Sequence, residues 1–355
     1  MKQITTYSAL VLLLIMSFSC DNRRPIIGPE DNKALVKFTI DWGSIDFAPN
    51  GWSVYIYPKS YAGKHTSFIS QAASETVILH RGTYSVIAIN DTEQEYKHIT
   101  FSGTDKYDTF TATATPLKEL SKALADDLAE GEEPQNSPDA LAVYRLAELE
   151  ITDEMVSKYK TTGEVTKEIL VRPSIVGYLT TIMINVKGVD NASLGSSLVA
   201  ATGLSSKINL STRESSGANG TQFIPITKRI YNESNMHWGK LVAETYVFGL
   251  YDIDLLTRGG DNLATKVGTD YQTVRLYATL RNGKPHPMIH FTAKGKIDFF
   301  TNDYGFEELV YNLGLDKYGI PETELPDVIG PEEEQGGFDA EVEGWGEEIE
   351  TEVGV

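Results

Sequence analysis

The chain reads as mainly β, with two antiparallel β-sandwich domains and one or two short helices inserted in the first. Three observations carry this reading. Apolar and polar residues alternate in short runs, the period-two mark of a half-buried strand. Turn residues separate those runs. The 355 residues, less a leader of about twenty, suffice for two domains of ordinary size.

The elements of the first domain follow in order. In LVKFTIDW, Val36, Phe38, Ile40 and Trp42 point one way, and Leu35, Lys37, Thr39 and Asp41 the other. WSVYIYP repeats the pattern with Trp52, Val54 and Ile56, and Ser74 to Leu79 is a further short strand. RGTYSVIAIND places a Gly turn before a strand at Tyr84 to Ile89 and an Asn-Asp stop after it; HITFSG and YDTFTATAT add two more. From Pro116, PLKELSKALADDLAE sets Leu117, Leu120, Leu124 and Leu128 at spacings of three and four, one apolar helical stripe expected to pack on the sheet. Pro116 suits a first helical turn and Gly131 the stop. SPDALAVYRLAELEIT starts like a short helix and ends like a strand, and both assignments stay open.

Polar residues and a glycine around Thr161 to Lys167 mark a boundary, which makes 34–163 the first domain and 164–355 the second. Strands then dominate again. YLTTIMINVKGV carries Ile182, Ile184 and Val186 on one face; GLSSKINLS, TQFIPIT, KLVAETYVFGLY and QTVRLYATL follow. Asn282-Gly283 is a strong hairpin signal before IHFTAKGKIDFF. The closing FDAEVEGWGEEIETEV alternates Phe338, Ala340 and Val342 against Asp339, Glu341 and Glu343, which predicts a terminal strand with a solvated acidic face.

The amino end has the parts of an export signal. Lys2 supplies a positive start, Ala9 to Met16 an apolar stretch, and Ser17 to Ser19 a short end with small residues. The stretch is too short to span a hydrocarbon core, which needs about 20 apolar residues. Cys20, the one cysteine of the chain, follows directly. Residues 1–19 therefore read as a signal peptide, Cys20 as a lipid attachment point, and 20–33 as a polar tether. Ser17 stands three places before Cys20, where a lipobox most often has Leu. A single acyl chain holds marginally, whereas the two or three of a lipoprotein cysteine, palmitate among them, hold durably. One cysteine also excludes an intramolecular disulfide and any Cys-based metal site.

The net charge is −19, and thirteen acidic residues with no Lys or Arg lie between Pro321 and Val355, leaving −6 to the rest. Such a surface does not seek nucleic acid or anionic lipid, so the membrane is reached through the lipid.

No nucleophile-elbow, P-loop, dinucleotide or HExxH motif occurs. His286 and His290 share HPMIH, but two imidazoles without a carboxylate make a poor metal site. Asp252 and Asp254 in YDIDLL are read on one face of a strand; paired carboxylates can serve glycoside hydrolysis, but two Asp on a solvated strand face are far commoner. TNDYG lacks the pattern of a dedicated calcium loop. The 18 Tyr and 4 Trp serve packing first, with sugar stacking as the other use. The residues thus name no catalytic group, cofactor or metal, and the reading is of a protein that is not an enzyme.

WSVYIYPKSYAGK, RGTYSVIAIND, ITFSG with TFTATAT, ILVRPSIVGYLTTIMINVKGVDN, GLSSKINLST and the acidic end together resemble the fimbrillin-like surface lipoproteins of Bacteroidetes, which include type V pilus anchors and subunits. The resemblance implies two transthyretin-like β-sandwiches, a lipidated Cys20, an outer-membrane lipid anchor at the cell surface, and no catalytic residues. It implies cell adhesion or fimbrium assembly, with other fimbrial or surface proteins as partners through strand-mediated contacts. Arg23-Arg24 and Arg172 are the basic sites that could meet the protease which processes such subunits. A cut after Arg24 would free the fold from its lipid without removing a strand, so an anchor or accessory role is favoured over a shaft subunit. A glycan-binding lipoprotein is the alternative, and a hydrolase with an unrecognised site comes third.

Overall fold

A computed structural model describes residues 32–328 except 46, 60–63, 254–267 and 302–306. The signal peptide, Cys20, Arg23-Arg24, Asp254, most of TNDYG and the acidic terminal segment lie outside the described residues. The earlier strands are β1 (Lys33–Ile40), β2 (Trp52–Pro58), β3 (Thr66–Ser70), β4 (Ser74–His80), β5 (Gly82–Asn90), β6 (Ile99–Ser102), β7 (Thr111–Ala114), β8 (Glu133–Pro134), β9 (Ala142–Ile151), β10 (Lys167–Val171) and β11 (Ser174–Ile175). Two helices accompany them, α1 (Lys122–Asp126) and α2 (Asp153–Thr162). The later strands are β12 (Tyr178–Lys187), β13 (Leu198–Asn209), β14 (Ser215–Pro225), β15 (Lys228–Asn232), β16 (Asn235–Val247), β17 (Thr273–Tyr277), β18 (Ile289–Thr292), β19 (Ile297–Thr301), β20 (Glu307–Leu313) and β21 (Thr323–Glu324).

The fold is mainly β, in stacked, largely antiparallel sheets. The first sandwich sets β10-β1-β4 against β11-β9-β5-β2-β3. Their shared core takes Val36 and Phe38 from β1, Trp52 and Val54 from β2, Val86 from β5 and Leu149 from β9. The second sandwich sets β15-β16-β12-β20-β19 against β18-β17-β13-β14-β8 around a larger core. Antiparallel pairs dominate, but β1 with β10 and β12 with β20 run parallel.

Strand pairing crosses the boundary drawn at 163/164 four times, β9 with β11 and β8 with β14 among them. After it, β10 pairs with β1. Before it, β7 pairs with β13, and β6 with β7. A third core follows from this. Tyr55, Tyr57, Ile87 and Ile89, on the second face of β2 and β5, pack with Phe110, Ala112, Ile208 and Phe248. The half-buried alternation expected for WSVYIYP is therefore corrected: Trp52 to Tyr57 are all buried, because both faces of the sheet are covered.

The helix expected from Pro116 is also corrected. Only α1 forms, capped by Ser121, and it buries no residue. Pro116 is bridged to Gln135, and Leu117 N–H donates to the Pro134 carbonyl, so the backbone before α1 is spent on extended pairing. The segment lies across the second sandwich, where Arg275 donates to Glu132 Oε2 and to the Asp127 carbonyl, each at 2.6 Å. SPDALAVYRLAELEIT resolves as strand β9, with α2 directly after it.

Candidate functional site

The first sandwich is open along one side. β9 is hydrogen-bonded to β5 on one edge, while on the other β11 reaches only Ala142 and Val143. From Tyr144 to Ile151, no described strand covers that edge. β10 likewise has β1 on one side and no described strand on the other. Between these two edges runs a groove of about 410 Å³, lined by Tyr144, Leu146 and Leu149 of β9, Met155 of α2, and Ile169 and Leu170 of β10.

Local sequence explains each part. β9 alternates so that Leu149 and Ile151 are buried while Glu148 and Glu150 are exposed. A register shift between Tyr84 and Val86 of β5 fits Ser85 to the Ala147 carbonyl, to which its hydroxyl donates at 2.8 Å. α2 starts at the Thr152 cap, whose hydroxyl accepts from Met155 N–H, and stops at Gly163, with φ +69°. Its Val156 is buried in the first core and its Met155 packs against it, so the helix closes one end of the seam. In β10, Ile169 and Val171 face the core and leave Glu168 and Leu170 outside; Leu170 is 47% exposed.

The floor is apolar and the rim charged. Glu148, Glu150, Lys167 and Glu168 stand along it, and Lys37 reaches Glu168 at 3.6 Å. Charges beside an unpaired edge deter indiscriminate pairing. Partial burial lifts the Tyr144 phenol above its ordinary pKa. Chemically, the seam offers main-chain donors and acceptors over apolar pockets, the requirements for receiving an extended segment. It brings together no catalytic constellation.

Other residues singled out in the sequence fall elsewhere. Arg172 directly follows β10 and donates through Nε to Asp41 Oδ2 at 2.8 Å, an exposed pair. The Gly43 N–H first, and Arg172 second, hold the Asp41 carboxyl below the usual range. His290 is exposed on β18, and His286 precedes that strand with Nδ1 at 2.7 Å from the Pro287 carbonyl. Among the described residues no group of three or more His, Cys, Asp or Glu is placed to hold a metal ion. Asp252 is not on a strand, as the sequence reading had it: it sits in a turn with φ +59°, after β16 has ended. Sequence reasoning missed the seam because KEILV was not read as a strand and α2 was not read at all. The usable signals were the alternation of Ile169 and Val171, and Thr152-Asp153-Glu154 with Gly163 ten residues on.

Among the described residues no helix is long and apolar enough to cross a membrane, which says nothing of a β-barrel. No curated protein matches the chain. Among solved structures, a candidate adhesin from Bacteroides ovatus is 17% identical, covers 87% of this chain and 98% of its own, and superposes with a TM-score of 0.54. That likeness shows a shared fold, and it upholds at that level the resemblance read from the sequence. A second Bacteroides ovatus candidate adhesin is 9% identical over 73% of this chain and 77% of its own, with a TM-score of 0.39. The fimbrial anchor protein Mfa2 of Porphyromonas gingivalis is 10% identical over 72% of this chain and 82% of its own, at 0.36. The last two share too little backbone to bear on this chain. A family model described as a domain of unknown function, DUF5119, matches residues 19–224, more than half the sequence, and the chain belongs to that family.

Proposed function

We propose that this protein is a lipid-anchored structural or adhesion protein of the cell surface, an anchor or accessory component of a type V pilus-like fimbrial system, and not an enzyme. Cys20 carries the lipid and holds the sandwiches at the outer membrane. The observation that carries the reading is the open seam, where two facing strand edges, β9 and β10, border an apolar groove. A strand from a neighbouring fimbrial or surface protein gains main-chain bonds along either edge and sets its register through Leu146 and Ile169. The shared fold with a Bacteroides ovatus candidate adhesin supports the same reading. We also propose that the chain divides near residue 163 into two structural units, with β10 and β11 after it returning to the first sandwich, β6 to β8 before it joining the second, and the third core holding the two together.

The test places a photo-crosslinking amino acid at Glu148 or Glu168, both exposed on the seam rim. Irradiation of intact cells is expected to join the protein to another envelope protein, and the adduct should vanish when Leu146→Lys blocks the groove. Absence of any adduct from correctly localised protein would refute the seam as a docking site. Anchoring is tested separately. Cys20→Ala is expected to abolish incorporation of labelled palmitate and to move the protein out of the membrane fraction.

A further inference from the structure

Strand β15 ends one sheet of the second sandwich. It is hydrogen-bonded to β16 on one side, and no described strand lies on the other. Ile230 and Tyr231, neighbours on this edge, are 39% and 43% exposed. Arg229 pairs with Leu241, a core residue, so Arg229 and Tyr231 lie on the core side of the sheet and Lys228 and Ile230 on its outer side. An open edge with apolar side chains on both faces is a template for another strand.

The edge is also positively charged. From Lys228 to Val242, Lys228, Arg229 and Lys240 stand against Glu233 alone. Among the described residues none of these three cations is in an ion pair, and Arg229 Nε is buried without a hydrogen-bond partner. Lys240 is the cross-strand partner of Ile230, so its side chain shares the outer face with Lys228.

The described chain ends close by. Val328, its last residue, packs against the second core. Asp327 Oδ1 accepts from the Asn191 amide at 3.3 Å, and Val189 of the same turn lies against Gly239, the partner of Tyr231. Further back, β21 pairs with β12 at Lys187, so a strand placed beyond β15 lies four strand spacings from β21, about 19 Å. The nine residues from Ile329 to Gly337 span about 30 Å when extended. Phe338 therefore reaches that position, arriving at the Asn232 end of β15. From there FDAEVE alternates Phe338, Ala340 and Val342 with Asp339, Glu341 and Glu343 and holds no basic residue.

We infer that residues 338–343 add to β15 of the same molecule as an antiparallel strand. The three carboxylates stand on the outer face beside Lys228 and Lys240, and the three apolar side chains extend the Tyr231 face. Opposite charges on adjacent strands favour this register. The seam offers no such match, because Glu148, Glu150 and Glu168 stand on its rim. Once added, the strand closes the β15 edge to pairing with other chains.

The experiment puts a photo-crosslinking amino acid in place of Ile230 in the full mature chain, with mass spectrometry of the product. An adduct to residues 338–343 at the mass of one chain is expected. Hydrogen exchange of the same chain should show the 338–343 amides slowed about tenfold or more relative to the unfolded chain. Lys228→Glu with Lys240→Glu should cut the adduct several-fold, and adding Asp339→Lys, Glu341→Lys and Glu343→Lys should restore it. Such a rescue follows from charge pairing and not from a misfolded sheet, and thermal melts check that each variant folds. The inference is overturned if no adduct forms, if it maps elsewhere in the chain or joins two copies, or if the 338–343 amides exchange as freely as in the unfolded chain. It is overturned equally if charge reversal leaves the yield unchanged or the combined variant fails to restore it. Crosslinking at the seam is unaffected by any of these results.

Discussion

Asn90 shows how one buried polar residue ties a loop to a sheet. It is 1% exposed; its Oδ1 accepts from Ala142 N–H at 2.7 Å and from the Tyr96 hydroxyl at 2.8 Å. Asn90→Ala leaves the Ala142 amide unpaired in a buried site, and a loss of about 1–3 kcal/mol in urea unfolding is expected. The neighbouring phenols add a pH dependence. Tyr96 is pushed well above its ordinary pKa by burial and then by nearby Asp91; Tyr55 is raised by burial and by its bond to Glu93, and Tyr57 by burial. Their folded values exceed an unfolded value of about 10, so the stability they carry is whole below about pH 10 and is lost as pH rises further. Alkaline titration followed by phenolate absorbance should therefore show unfolding and phenol ionisation together, and Tyr55→Phe should weaken that coupling. Arg275 and Glu132 form a pair whose side chains are 6% and 9% exposed. Arg275→Ala strands the carboxylate in a buried site and is expected to cost about 3–5 kcal/mol, read by the same unfolding experiment.

At the scale of elements, α2 is the piece on which the seam depends. Thr152→Ala removes its cap and should lower stability by about 1 kcal/mol, measured by chemical denaturation. Val156→Asp, which places a charge in the first core, should cost more and expose apolar surface to a hydrophobic dye. Strands were legible wherever side chains alternate over a solvated face. Val36, Phe38 and Ile40 of β1, and Ile182, Ile184 and Val186 of β12, point inward as their spacing requires. The Asn282-Gly283 turn is present, with Asn282 Oδ1 accepting from Lys284 N–H and Gly283 at φ +75°. β20 escaped notice although Leu309, Tyr311 and Leu313 alternate and are fully buried, because FEELVYNLG follows a polar stretch without a hairpin signal. The Leu stripe after Pro116 failed as a helix because its spacing is local, whereas the competing partner Gln135 lies nineteen residues on.

At the scale of the molecule, the third core decides how the sandwiches behave. Phe110 is fully buried and Phe248 1% exposed, both among residues from either side of the 163/164 boundary. Phe110→Ala should cost about 3–5 kcal/mol. Calorimetry is expected to show the parent protein unfolding in one transition and this variant in two, as the sandwiches lose their common packing. By itself the sequence determined the β class, the inward face of most strands, and the absence of the common catalytic motifs, since each is written in local spacing or composition. Only the tertiary structure decided that β6 and β7 leave their sequence neighbours for the second sandwich, that β2 and β5 are covered on both faces, and that β9 and β10 leave a seam between them. Strand partners are chosen by packing and hydrogen bonding between residues far apart in the chain, and no local period records that choice.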